Sequence, residues 1–311
     1  MIKFKFLLFF LLILFFTNRF SNAFDTGNYL AAKHALSNKD NSVAIFFFEK
    51  SLDINKVDEK PNQEIAKELC ILYLLEGYIE KCVSIGKKIE KYLNEETTSI
   101  LLALIIDDIK KNNLNSALKR LKRVKKHSYE RFSIPIINAW ILAVEKKNYK
   151  ASINVMSELD KDLNIDGLKF LHLALINEYF EKKDDALILY QKSIDSFSEP
   201  SFRLIQLAGN AFERFGEIEK AEDLYKELLK DSNSSLLISD EIKRLNLNKM
   251  PKKQINDLLD AIAEVSTNIA GTFRSDFTNN YSIIYANFAL YLKKDFVIAQ
   301  MSLAELLENE G

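Results

Sequence analysis

The chain has 311 residues, 43 basic and 44 acidic side chains and 48% hydrophobic residues, a balance that excludes both a disordered chain and a many-span membrane protein. It holds only 8 Gly and 4 Pro, where average usage would give about 22 and about 15. So few turn formers exclude an all-β fold and disfavour a glycine-rich nucleotide fold, which leaves a nearly all-helical protein with short connections.

The N-terminus reads as a targeting segment. Lys3 and Lys5 make a basic start, Phe6–Phe16 is an uncharged apolar run, and a polar stretch follows with small residues at Ser21 and Ala23. This three-part layout predicts a secretory signal peptide over residues 1–23, cut after Ala23. The apolar run is shorter than the about 20 residues that span a bilayer. The alternative is an uncleaved helix, which would make the chain a membrane-anchored envelope assembly factor. Phe24, not Cys, follows the cut, which disfavours a lipid anchor. Removing the segment takes away Lys3, Lys5 and Arg19 and no acid, so the net charge falls from −1 to −4. Such a chain has no general attraction for nucleic acid.

The remainder repeats. Small residues recur in one helix of each unit and again twelve positions later in the next helix. The later positions are Ala44, Cys82, Ala117, Ala151, Ala186, Ala221 and Ala299, separated by 38, 35, 34, 35, 35 and 78 residues. Twelve residues upstream lie Ala32, Cys70, Ile105, Ala139, Ala174, Gly209 and Asn287, and four downstream lie Phe48, Gly86, Leu121, Val155, Tyr190, Tyr225 and Leu303. Two antiparallel helices approach closely only where small residues meet. Pro61, Pro135, Pro200 and Pro251 are expected at or just before the start of a first helix.

On these residues, best seen in Gly209, Phe212, Ala221 and Tyr225, the chain resembles the tetratricopeptide repeat (TPR) family, whose period is 34 residues. The layout is similar to secreted bacterial TPR proteins, with Gly27–Ala31 as the entry. The expected fold class is all-α, a right-handed α-solenoid of TPR-like helix pairs. Six units are expected over 24–230, an irregular helical unit over 231–280 and a final TPR-like unit over 281–311. Ile105 and Asn287 depart from the small slot, and Asp108 stands in an aromatic slot.

The resemblance implies a partner-binding surface on the inner face of each unit's first helix. The residues placed there are Ile71, Leu102, Ile106, Ile136, Trp140, Leu175, Tyr179, Gln206, Asn210 and Arg214, with Lys33 and Phe288 at the ends. Trp140, the sole Trp, is expected to be partly accessible and to anchor a protein or peptide partner. The competing reading is that winding buries this stripe.

No chemistry is legible. His34, His127 and His172 have no neighbour at metal-ligand spacing, and no phosphate-loop, dinucleotide or nucleophile-elbow motif occurs. No cofactor, metal or catalytic residue is expected. An enzyme or accessory subunit acting on envelope polymers stands as the alternative from another class. Cys70 and Cys82 occupy paired slots of one unit and are read either as two small buried thiols or as a disulfide formed after export. The basic run Lys119–Arg131 is expected to face water, or else to form a patch for an anionic lipid or an acidic partner. The last helix carries an apolar face through Phe296, Ala299, Leu303, Leu306 and Leu307, expected to be left for self-association or a partner.

Overall fold

The computed structural model describes residues 25–94, 97–124, 130–157, 159, 165–229, 237–272 and 279–308. The expected signal segment and most of the second half of the basic run lie outside the described residues. Among those described, the chain is all-α, with sixteen α-helices, two short 3-10 turns and no strand. No helix among them is long and apolar enough to cross a membrane.

The chain divides into two compact units, one ending at Tyr92 and the other beginning at Leu93. The first holds α1 (Thr26–Ser37), α2 (Asn41–Ser51), α3 (Lys60–Leu75) and α4 (Ile79–Ile89). Here α1 packs on α2, α3 on α4, and α2 on α3. The second begins with four pairs: α5 (Thr98–Lys110) with α6 (Leu114–Leu121), α7 (Glu130–Val144) with α8 (Tyr149–Ser157), α9 (Asp166–Tyr179) with α10 (Lys183–Asp195), and α11 (Phe202–Arg214) with α12 (Ile218–Leu229). It ends with α13 (Ser239–Asn246), α14 (Leu258–Thr272), α15 (Asn279–Leu292) and α16 (Val297–Glu308). Helix α13 packs on α11 and α12, whereas α14 packs on α15 and α7.

The first helix of each pair up to α11, and α13, stops in the same way. A residue with positive φ follows it: Lys39, Gly77, Asn112, Lys147, Glu181, Gly216 and Asn248, whereas none follows α15. In six of the seven the next amide reaches back five residues, as in Lys182 N to Asn177 O at 2.9 Å and Glu217 N to Phe212 O at 2.8 Å. That bond satisfies a carbonyl the helix end would leave open. It also turns the chain so that the second helix starts at once. Asn248 completes the seventh such stop, but no second helix follows; the chain runs irregularly to α14.

The fourth unit is the exception. Asn148 N reaches Leu142 O, six residues back, at 3.0 Å. The one extra residue shifts the following helix, so the crossing position is Ser152 and the one below it Met156, both fully buried. Ala151 and Val155, expected there, are only half-buried. Pro135 likewise lies inside α7 rather than at its start, because the helix begins five residues earlier, at Glu130. Pro251 falls in the irregular run ahead of α14.

Elsewhere the slots hold, except that Leu303 is only half-buried. Ala32, Ala44, Ala117, Ala139, Ala174, Ala186 and Ala221 are fully buried. A Cβ added at Gly209 would come within 2.3 Å of the Tyr225 ring, so only glycine lets α11 and α12 close. Asp108 finds its counterpart twelve residues on. Arg120 turns inward to pair with it, and the two side chains are 5% and 15% exposed. This corrects the expectation that the whole basic run faces water: a carboxylate in a buried slot draws in a cation. Cys70 and Cys82 are joined as a disulfide across the α3–α4 crossing, with Cα atoms 4.5 Å apart.

Two predictions follow from these joints. A Cβ at Gly216 meets nothing within 4 Å, so Gly216→Ala should cost about 1 kcal/mol through its left-handed backbone alone, while Glu181→Gly should gain about as much. Equilibrium urea unfolding checks both signs. Replacing Cys70 and Cys82 by Ala should destabilise the first unit by about 2–3 kcal/mol. Amide exchange should then quicken in α3 and α4 but not in α9 and α10.

Candidate functional site

The inner face of the second unit is occupied by its own chain. Helix α14 lies on α5, α7 and α9, and α15 lies on α5. Leu102, Ile106, Ile136, Trp140, Leu175 and Asn210 are each 2% exposed or less. Tyr179, Gln206 and Arg214 are half-buried, as is Ile71 in the first unit. The expected exposure of Trp140 is thus corrected: it is 0% exposed. Its indole Nε1–H donates to His172 Nδ1 at 3.3 Å, and its ring meets Tyr179 edge-on. Burial holds His172 neutral, its pKa lowered to about 3, so Nδ1 is free to accept.

The polar members of the stripe are tied down by the C-terminal part. Gln206 donates to Glu241 at 2.6 Å. Asn210 accepts from Arg244 at 2.6 Å. Arg214 pairs with Glu178 and donates to the Lys252 carbonyl at 3.1 Å. Burial raises the Glu178 carboxyl and Arg214 opposes the rise. Across the covered face Tyr285 donates to Ser133 at 2.7 Å, and Tyr291 to Asp107 at 2.8 Å. Ile262, Val265 and Ile269 of α14 are completely buried. At about 1.5–3 kcal/mol for each such side chain, this covering is core and not a latch that a partner would displace.

The last helix is also partly covered. Ala299, Ser302 and Leu306 are buried, and α16 packs on α15 and α14. Of the expected face, Phe296 and Leu303 are only half-buried and Leu307 is 50% exposed, so α16 is covered along one line and open beside it.

Among the described residues the second unit has an open cleft of about 540 Å³. Its floor is Leu168 and Leu171 of α9 with Leu204 of α11, all at most 5% exposed. Its rim carries Phe197, Leu237 and Met301, which are 43%, 37% and 38% exposed. Phe197 lies in the break before Pro200, and its ring sits where a Cβ on Gly167 would be, 2.3 Å away. Ser201 caps α11 by accepting from Leu204 N at 3.2 Å, which sets Phe202 and Arg203 at the cleft. Helices α14 and α16 close the other side with Thr267, Asn268, Gly271, Ile298 and Met301. A Cβ at Gly271 meets nothing within 4 Å.

The polar groups at the inner end satisfy one another. Arg203 grips Glu264 through Nε at 3.1 Å and Nη2 at 2.5 Å, and Asn268 donates to Glu264 at 3.2 Å. No group of metal-holding side chains exists among the described residues. The cleft can hold apolar side chains; it offers no paired nucleophile and base. None of its residues was among the expected site positions. The one signal available was the pair of phenylalanines around Pro200, in a break between helices. Trp140→Ala should cost about 3–5 kcal/mol, seen as a fall in thermal midpoint and not as a selective loss of binding.

No family model matches the sequence, and no curated protein matches it. Among solved structures, the crystal structure of a tetratricopeptide repeat protein from Parabacteroides merdae ATCC 43184 is similar over 91% of this chain and 98% of that one, with a TM-score of 0.51 and 9% identity. The fold of this chain is that of a tetratricopeptide repeat protein.

Proposed function

We propose that the protein is an exported, non-catalytic scaffold that binds a segment of another protein in the cleft between α9, α11, α14 and α16. The observation that carries this is an open apolar cleft with exposed Phe, Leu and Met at its rim, on a fold whose stacked helix pairs serve as binding surfaces. The inner face of the middle pairs, where the repeat pattern places a partner, is already filled by α14 and α15. Export is supported by the three-part N-terminal segment and by a disulfide within the first unit, since such bonds persist in oxidising compartments.

A photo-crosslinking residue at Met301 tests the site in envelope fractions. It should capture one partner, and Gly271→Phe, which fills the cleft from a helical position with free space, should abolish capture while leaving the thermal midpoint unchanged. Capture that persists in Gly271→Phe would place the partner elsewhere.

A further inference from the structure

We infer that the turn between α13 and α14 attaches the protein to an anionic lipid bilayer, resting in its headgroup layer. From Ile242 to Asn256 the sequence carries five bases, Lys243, Arg244, Lys249, Lys252 and Lys253, and no acid. Among these stand Leu247 and Met250. They are 63% and 67% exposed, the most exposed large apolar side chains among the described residues. Bared apolar side chains inside a run of bases are what an interfacial anchor needs: the former enter the acyl boundary and the latter meet lipid phosphate.

The turn is fixed at both ends, so these side chains are presented to solvent by a built loop. Asn248 has positive φ, and Lys249 N reaches Arg244 O at 3.1 Å. Pro251 is buried. Arg214 and Gln254 donate to the Lys252 carbonyl at 3.1 and 3.2 Å. Lys253 donates to the Tyr179 carbonyl at 3.2 Å, and Lys147 to the Tyr179 hydroxyl at 2.5 Å. These acceptors are neutral, so they steady the two ammonium groups without cancelling their charge. Glu178, next to Tyr179, is buried and already bonded to Arg214 and Tyr190. Arg244 is engaged by Glu213, and Lys243 lies 3.9 Å from Asp240. The turn after α9 adds one exposed acid, Glu181, and one exposed base, Lys182. Lys249, Lys252, Lys253 and Lys147 therefore give the surface its positive balance.

The apolar pair decides what that charge is for. A soluble polyanion gains nothing from Leu247 and Met250, and a folded acidic partner would need a pocket shaped to each. A bilayer interface yields to any shape, and flexible Met suits it. None of these residues lines the cleft, so attachment leaves the cleft open.

Vesicle co-sedimentation tests this with the mature full-length chain, without residues 1–23, so that the apolar N-terminal run takes no part. The probes are vesicles of phosphatidylcholine, vesicles of phosphatidylcholine and phosphatidylglycerol in equal parts, and soluble polyglutamate as competitor. The chain should bind the mixed vesicles and hardly the neutral ones. A lysine at an anionic surface contributes about fivefold, so Lys249→Gln with Lys252→Gln should weaken binding about 25-fold, and added salt should weaken the parent more than this variant. Leu247→Ser with Met250→Ser should weaken binding severalfold at unchanged charge. All four positions are exposed, so the thermal midpoint should stay where it is in both variants. Equal binding to the two vesicles, no binding to either, or a lysine variant that binds like the parent would overturn the inference. Full binding by the Leu247 and Met250 variant, with polyglutamate competing as well as mixed vesicles do, would overturn the bilayer in favour of an acidic polymer.

Discussion

A helix can bring its backbone close to another only where at least one of them presents little bulk, and most pairs described in this chain depend on meeting that condition. Gly209 against Tyr225 is the tightest case, because a single added carbon would enter the ring. Alanine serves at most other crossings, and in the first unit a disulfide holds the point where α3 and α4 meet. In the six pairs up to α12 the positive-φ stop after the first helix delivers the second to that crossing without slack. One extra residue in such a stop, before Asn148, moves the crossing from Ala151 to Ser152.

Close pairing leaves a second requirement: the apolar face of each pair must be covered. In the second unit the C-terminal helices supply part of that cover. They bring polar groups of their own into the core, and three of these have partners there. Glu264 meets Arg203, Tyr285 meets Ser133, and Tyr291 meets Asp107. A buried acid without such a partner would be strongly destabilising. Covering the middle of the face also shapes its edge. Where α14 ends and α16 crosses, the walls no longer meet, and the cleft with Phe197 and Met301 at its rim is what remains open.

The helical class and the pairing of helices were legible in the sequence because both arise from local periodicity. Small residues twelve apart and scarce Gly and Pro speak of short-range geometry. The paired cysteines belong to the same pattern, whereas the inward turn of Arg120 to Asp108 ran against the reading of the basic run as facing water. The buried character of α14 was also written there: AIAEVSTNIA is small or apolar on nearly every side, with one acid inside it, as befits a helix buried all round. Its place was not written, because nothing local says which face such a helix will cover.

The tertiary structure alone decided the fate of the inner stripe and the location of the cleft. Trp140 has the same neighbours in sequence whether its face is wet or dry; it is buried because α14, more than a hundred residues later, folds back within the second unit. The cleft is made of residues from four helices, the break around Pro200 and Leu237 ahead of α13, segments far apart in the chain. Sequence determines which helices form and how neighbours pair, since those contacts are near in the chain. Which surfaces remain open depends on where distant segments come to rest, and only their packing together sets that.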